Sequence, residues 1–319
     1  MILVENAVFK KKKYTLSIDL HVKSETFVAV LGASGAGKST LLSIIAGFEE
    51  LERGKLWLDG SNTHNVSPAN RPVSMIFQDH NVFAHLSVWD NVALGIAPSL
   101  KLSAEEMAQV DAALSRVGLS QYAKRKPGNI SGGERQRVAL ARVLVRKRKI
   151  LLLDEPFAAL DPGLRHDMLD LVSDLRREHG LTVLMVTHQP EEALRYADET
   201  AVMDNGKLTQ HDETFSVYYQ PKNKNIAALM GRYFVLNQED LISNKVNLAK
   251  KQTYIRPNQL QIVDTKAKAL IQVTVTNLFF NGYGYEYFAE TKLGHSIYFY
   301  AKDNTIEIDQ QVYLNVKWY

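Results

Sequence analysis

The sequence predicts an α/β protein in two parts: a doubly wound domain with a helical insert, then a small all-β domain. Three observations carry this. The first is a β-branched and apolar run, Thr26 to Leu31, passing through Gly32-Ala-Ser-Gly-Ala-Gly-Lys-Ser-Thr40 into the helical pattern that ends near Gly47. The second is a pair of apolar runs without alternation, 150–153 and 181–186, as expected of strands buried on both faces of a parallel sheet. The third is a change of character near residue 232, after which aromatics thicken and short β-type runs are separated by Gly and Asn turns.

Composition narrows the class. The 319 residues suit about two domains, and 45% hydrophobic residues suffice to bury a full core. There is no cysteine, which excludes disulfides, zinc-thiolate sites and thiol catalysis and fits a reducing cytoplasm. No apolar run approaches the roughly 20 residues that span a bilayer. At the N-terminus the charge of Lys10 to Lys13 follows a short apolar patch, the reverse of a signal peptide. That lysine run reads as a solvated turn. A net charge of +3 is too small to argue for nucleic acid. The chain therefore reads as soluble, with any membrane role supplied by a partner.

The elements follow in order. Residues 14–22 alternate apolar and polar, an edge-type strand with one buried face. Lys55 to Asp59 is a strand turning at Gly60, and Pro72 to Phe77 is a third that delivers Gln78. From Asp79 to about Asn129 the pattern is helical. Ser103-Ala-Glu-Glu106 opens one helix with a capping box, and Gly118 stops it. Asp161-Pro162 is an N-cap with proline at the first helical position of a helix running to Gly180. Asn205-Gly206 marks a hairpin. The tail, with Leu270 to Thr276 as one strand, reads as a small barrel or sandwich. Its acids and bases roughly cancel, so its aromatics are assigned to core packing or dimer contact and not to nucleic acid.

Gly32, Ser34, Gly35, Gly37, Lys38, Ser39 and Thr40 carry the chemistry of a phosphate cradle. Small residues let the backbone wrap a phosphate against a helix N-terminus, Lys38 neutralises it, and Ser39 ligates Mg2+. Asp154-Glu155 ends the 150–153 strand, where ligands of open α/β sheets bind. Asp154 would hold Mg2+ through water, and Glu155 would orient the attacking water. Gln78 would sense Mg2+ and the terminal phosphate, and His188 would hydrogen-bond that phosphate. Ser131, Gly132 and Gly133 make a second anion cradle at a helix N-terminus. The basic run 142–149 at that helix's other end complements the dipole, and no ligand is assigned to it. Taken singly, these features have ordinary roles: a helix-capping turn, solvated acids, an exposed Gln, a structural His. Together they specify ATP with Mg2+ and an ATPase.

In this combination the chain resembles, over residues 1 to about 232, the ATP-binding subunits of ABC transporters, P-loop NTPases with a helical insert at about 79–135. The phosphate loop, Gln78, signature 130–134, Asp154-Glu155, the loop through Asp161 and His188 occur in the family's order. The resemblance implies a nucleotide sandwiched between the phosphate loop of one subunit and the signature of a second, hence a homodimer. It further implies integral membrane permease partners, a periplasmic or extracellular binding protein, and a place at the cytoplasmic face of the inner membrane. Arg71 to Gln78 and Asn81 to Asn91 look like bacterial importers with a periplasmic binding protein, and the first 232 residues resemble the thiamine importer subunit first, then the ferric-iron and polyamine ones. Tyr254-Ile-Arg-Pro257 and Phe280-Asn-Gly282 resemble the regulatory, OB-like β-domain of ferric-iron, sugar, polyamine and molybdate subunits, assigned here to 233–319. The expected cargo is thiamine or ferric iron. The alternatives are a non-transport ABC ATPase and a nucleotide-binding regulator. Three departures stand out: Glu134 where the signature usually has Gln, Ala158 where Ser is usual, and Lys11 where an adenine-stacking aromatic is expected. Phe9 and Tyr14 are the substitute candidates, with core packing as Tyr14's competing role.

Overall fold

A computed structural model describes residues 1–11, 14–77, 82–242, 246, 248 and 254–319. In the first of two units, Met1–Thr214, the elements are β1 (Ile2–Lys11), β2 (Tyr14–Val22), β3 (Phe27–Leu31), α1 (Lys38–Ala46), β4 (Arg53–Leu58), β5 (Ser61–Asn62) and β6 (Val73–Ile76). There follow α2 (Val88–Ala93), α3 (Ala104–Arg116), α4 (Gly132–Arg146), β7 (Ile150–Asp154), α5 (Pro162–His179), β8 (Thr182–Val186), α6 (Pro190–Tyr196), β9 (Glu199–Asp204) and β10 (Lys207–Glu213).

The strands form one ten-stranded sheet in the order β5-β4-β1-β2-β10-β9-β3-β8-β7-β6. β6, β7, β8, β3 and β9 run parallel, and every residue of β3 and β8 is buried, as their unbroken apolar runs require. On one face α1 packs Leu41 and Ile45 against Val28, Leu152 and Leu184. On the other, Leu140 of α4 and Leu169 and Val172 of α5 cover Leu151, Leu153 and Val183.

Residues 14–22 form the expected strand, with alternate residues buried, but it is not an edge. β2 lies between β1 and β10. Alternation reports a solvated face of an antiparallel pair and says nothing of the lateral neighbour. The neighbour β1 escapes sequence reading because its register shifts between Val4 and Ala7, with Asn6 left-handed at φ 48°. A bulge breaks the period of two on which recognition rests.

The helical region resolves into α2, α3 and short 3-10 turns. Ser103 caps α3 with the predicted reciprocal box to Glu106, Asp161 caps α5, and Gly180 closes α5 in the left-handed region. The insert's core joins Val88 and Val92 of α2, Val110 and Leu114 of α3, and Val138, Ala141 and Val145 of α4. So α4 faces the insert with one side and the sheet with the other. Buried Asn91 fastens the stretch before α2: its Oδ1 accepts from the Phe83 N–H (2.8 Å) and from Arg142 (2.9 Å). Phe83 itself is 47% exposed, whereas Trp89 is half-buried and donates its indole N–H to Asp111 (2.8 Å).

The second unit, Phe215–Tyr319, contains all but the first residue of α7 (Thr214–Tyr219), then α8 (Lys224–Leu229) and the short pair β11 (Phe234–Val235) and β12 (Tyr254–Ile255). After these come β13 (Leu260–Ile262), β14 (Ile271–Phe280), β15 (Tyr285–Thr291), β16 (Ser296–Ala301) and β17 (Gln311–Val316). The five longer-range strands pair antiparallel in the order β13-β17-β14-β15-β16, and β13 and β16 approach each other, giving a barrel-like sheet. Tyr287 and Phe299 stack at its centre, ring centroids 5.1 Å apart.

Arg256 is the largest fully buried side chain of this unit. Its guanidinium donates to the carbonyls of Tyr218 (2.9 Å), Ala227 (2.8 Å), Gly231 (2.9 Å) and Arg232 (3.1 Å) and lies 4.4 Å from the Tyr218 ring. It thereby binds α7 and α8 to the β-sheet unit, and the two units divide between Thr214 and Phe215 where a boundary near 232 was expected. Arg256→Met should strand these carbonyls without a donor and destabilise the unit by about 2–4 kcal/mol. Limited proteolysis should then cut the variant within 215–232 while the parent resists; equal resistance would refute the role assigned to Arg256.

Candidate nucleotide site

The glycine loop leaves the carboxyl end of β3 and enters α1, as the residue pattern requires. Two of its glycines are sterically obligatory. Gly32 has φ 154° and a Cβ there would lie 2.3 Å from the Met203 carbonyl oxygen; Gly37, at φ 102°, would put one 1.8 Å from the Tyr14 hydroxyl. The loop borders a cleft of about 520 Å³ lined by Tyr14, Ser34, Gly35, Thr40, Glu155 and His188 together with Gly32, Gly37, Lys38 and Ser39.

Lys38 folds back so that Nζ donates to the carbonyls of Gly32 (2.8 Å) and Ala33 (3.0 Å). Burial lowers its pKa, with Glu155 and Asp154 opposing the shift. Ser39 Oγ donates to Asp154 Oδ1 (2.9 Å). Burial raises the Asp154 pKa; the Ser39 hydrogen bond pulls it down, Glu155 adds to the rise and Lys38 opposes it. Glu155 sits in the left-handed region at φ 45°, held there by its N–H to the Val186 carbonyl (3.1 Å). His188 Nδ1 lies 3.5 Å from Glu155 Oε2. In-register pairing of Asp154 with Val186 delivers these side chains to one place from β7 and the end of β8.

The hydroxyl and carboxylate oxygens of Ser39 and Asp154 form a hard-oxygen pair of the kind Mg2+ accepts, given that this ion keeps several waters and takes further oxygens from phosphate. No cluster of three or more His, Cys, Asp or Glu suited to a metal occurs among the described residues.

Other expected residues lie elsewhere. Phe9 is 4% exposed and packs in the core above β3, so it cannot stack on a base in the cleft; its place in β1 opposite Leu16 turns it inward. Tyr14 does line the cleft. Lys11 pairs with Glu49 at 2.5 Å. Ser131, Gly132 and Gly133 open α4 but do not line the cleft. Glu134 completes a capping box there: the Ser131 N–H donates to its carboxylate (2.6 Å) and Ser131 Oγ accepts from its N–H (3.2 Å). The Ser131 main chain, with Tyr122 and Arg125, holds the Glu134 carboxyl below its usual range against the opposing effect of burial. Gln78 lies outside the described residues. Sequence reading did not single out Gln136, buried on α4, whose amide donates to the Pro156 carbonyl (3.2 Å) next to Glu155. A buried polar residue on a helix face that otherwise reads apolar was the available signal.

Because the Asp154 pKa is raised on folding, its stabilising effect is complete below the unfolded carboxylate value, about 3.9, and is lost as pH rises through the folded value. Asp154→Asn should therefore raise the melting temperature of the nucleotide-free protein at neutral pH and flatten its decline from the carboxylate range. The same change should abolish the extra stabilisation by Mg2+ with ATP over ATP alone. A lower melting temperature for the nucleotide-free variant would contradict this account.

The profile of the ABC transporter family matches residues 16–158. The thiamine import ATP-binding protein ThiQ of Rhizobium meliloti (strain 1021) is 55% identical over 199 residues, covering 62% of this chain and 84% of that protein. ThiQ of Haemophilus influenzae (strain 86-028NP) is 50% identical over 210 residues, 66% of this chain and 98% of the relative. Among solved structures, the ADP conformation of an ABC transporter's ATP-binding cassette superposes with a TM-score of 0.65 at 27% identity, covering 72% of this chain and 98% of that one. A dimeric cassette bound to ADP and phosphate after hydrolysis gives 0.59 at 28% identity, covering 67% and 99%. With the loop, the paired carboxylates and the helical insert in these positions, the chain belongs to the ATP-binding subunits of ABC transporters.

Proposed function

We propose that this chain is the ATP-hydrolysing motor of an import system whose cargo is thiamine, the cargo named for relatives about half identical to it. The observation that carries the chemistry is the convergence of Lys38, the Ser39–Asp154 pair and the Glu155–His188 pair on one cleft.

Lys38, released from the loop carbonyls, neutralises the β- and γ-phosphates of ATP, and the amides of the loop cradle them. Ser39 and Asp154 hold Mg2+, which when bound offsets phosphate charge; Gln78 is assigned to the same ion. Glu155 accepts a proton from the attacking water, and His188 hydrogen-bonds the terminal phosphate and orients Glu155. Tyr14 is the remaining candidate for contact with adenine. Ser131, Gly132 and Gly133 lie away from the chain's own cleft and serve the nucleotide of a second copy, so that ATP closes a homodimer and hydrolysis reopens it. Residues from about 233 add subunit contact or regulation and no chemistry, since none of the phosphate-contacting residues lies there. The motor works at the cytoplasmic face of the inner membrane, bound to permease subunits that receive cargo from a binding protein. Among the described residues no helix is long and apolar enough to cross a membrane.

Glu155→Gln should bind ATP normally and form a stable ATP-loaded dimer by size-exclusion chromatography, with phosphate release lower by about 10²–10⁴. In cells whose own subunit is deleted, the parent chain should restore uptake of labelled thiamine and this variant should not. Parent-rate hydrolysis by the variant would remove Glu155 from the chemistry. Restoration of ferric-iron uptake in place of thiamine would reassign the cargo.

The exposed Phe83 ring, beside the Asn91-fastened turn, is proposed to meet a cytoplasmic helix of the permease. Phe83→Ala should leave the melting temperature nearly unchanged while weakening co-purification with the permease, by at most the roughly 1.5–3 kcal/mol of one buried apolar side chain. Unfolding of the variant would place Phe83 in the insert's own core.

A further inference from the structure

A second cavity, of about 540 Å³, lies where α3, α4 and α5 end, within the roughly 300–1,000 Å³ usual for small-molecule pockets. Its floor is apolar, with Ala113 from α3, Val143 and Leu144 from α4, and Leu181 entering β8. Its rim carries five basic residues, Arg116, Lys147, Arg148, Lys149 and His179, and one carboxylate, Glu178.

Part of that charge has a structural explanation. Arg116 and His179 stand in the last turns of α3 and α5, where cations offset the negative helix ends, and Arg116 is paired with Glu178. The run Lys147-Arg148-Lys149 is different. It follows the last helical residue of α4: Lys147 caps that helix and complements its negative end, whereas Arg148 and Lys149 lie past the cap. Among the described residues none of the three meets a carboxylate. The side chains of Arg148 and Lys149 reach only the carbonyls of Ala69 and His179, each at 3.5 Å. Among the described residues the Lys147 ammonium has no hydrogen bond or ion pair, its main-chain N–H alone bonding the Leu144 carbonyl. Burial lowers the neighbouring Arg146 pKa, and repulsion from Arg148 lowers it further. Adjacent cations thus repel each other beside an apolar hollow, which calls for negative charge joined to an apolar body.

We propose that this cavity binds an amphipathic organic anion, its apolar body on Ala113, Val143, Leu144 and Leu181 and its carboxylate, sulfonate or phosphate against Lys147, Arg148 and Lys149. The site is separate from the nucleotide cleft: β7 begins beside Lys149 and carries Asp154 at its opposite end, and α4 likewise begins at Ser131 and ends here. The half-enclosed shape and the single cationic side select a small molecule with one charged end.

The test uses the full chain with saturating ADP, so that the nucleotide cleft is occupied. The probe is anilinonaphthalene sulfonate fluorescence, with decanoate and decyltrimethylammonium as competitors. Saturable probe binding is expected, displaced by decanoate and not by the cation. Lys147→Glu combined with Arg148→Glu should weaken it by about tenfold. Ala112→Phe, which fills the cavity from the exposed side of α3, should abolish it with circular dichroism unchanged. Absence of saturable binding, equal displacement by both competitors, or binding unaffected by both variants would each overturn the proposal.

Discussion

The cleft depends on β3 being immovable. This strand is bonded in register to β8 on one side and β9 on the other, and both of its faces are covered. Its carboxyl end therefore delivers Gly32 to within van der Waals reach of the Met203 main chain, where only a hydrogen fits. The next link, β8 to β7, fixes Asp154 opposite Val186, and the Val186 carbonyl in turn holds Glu155 in its left-handed conformation. The placement of these side chains is thus a property of backbone pairing, transmitted from one strand to the next.

That placement carries an electrostatic cost in the protein without nucleotide. Burial disfavours the charged forms of both Lys38 and Asp154, and a non-glycine residue at positive φ adds backbone strain at Glu155. Hydrogen bonds to loop carbonyls and between Ser39 and Asp154 offset part of it. A ligand bringing phosphate oxygens and a divalent cation would satisfy both charges, so binding energy is available from relief of unfavourable burial as well as from new contacts.

Much of this was legible in the sequence because it is local. Helix caps at Ser103, Asp161 and Gly180, the left-handed pair Asn205-Gly206, and the glycine loop each act within a few residues, so their signals are contiguous. What was illegible depends on partners distant in sequence. The bulge at Asn6 hid β1, and without β1 the strand after it read as an edge and Phe9 as free to reach a base. Gln136 matters through a main-chain carbonyl twenty positions on, and Arg256 through carbonyls up to 38 positions back. Main-chain acceptors leave no compositional trace. The pattern around Tyr254 to Pro257 flagged a domain but gave no hint of what its arginine holds.

Arg256 has a consequence for how such proteins acquire tails. Its four acceptors are carbonyl oxygens of residues 218, 227, 231 and 232, which any sequence of the same backbone shape would present. A β-sheet bringing one suitably placed arginine could seat helices of this backbone shape, as α7 and α8 are seated within the second unit, without matched side-chain changes on them. Fusion by recombination would then need compatible main-chain geometry far more than coevolved surfaces, and transplantable modules of this kind could spread among cassettes whose sequences have otherwise diverged.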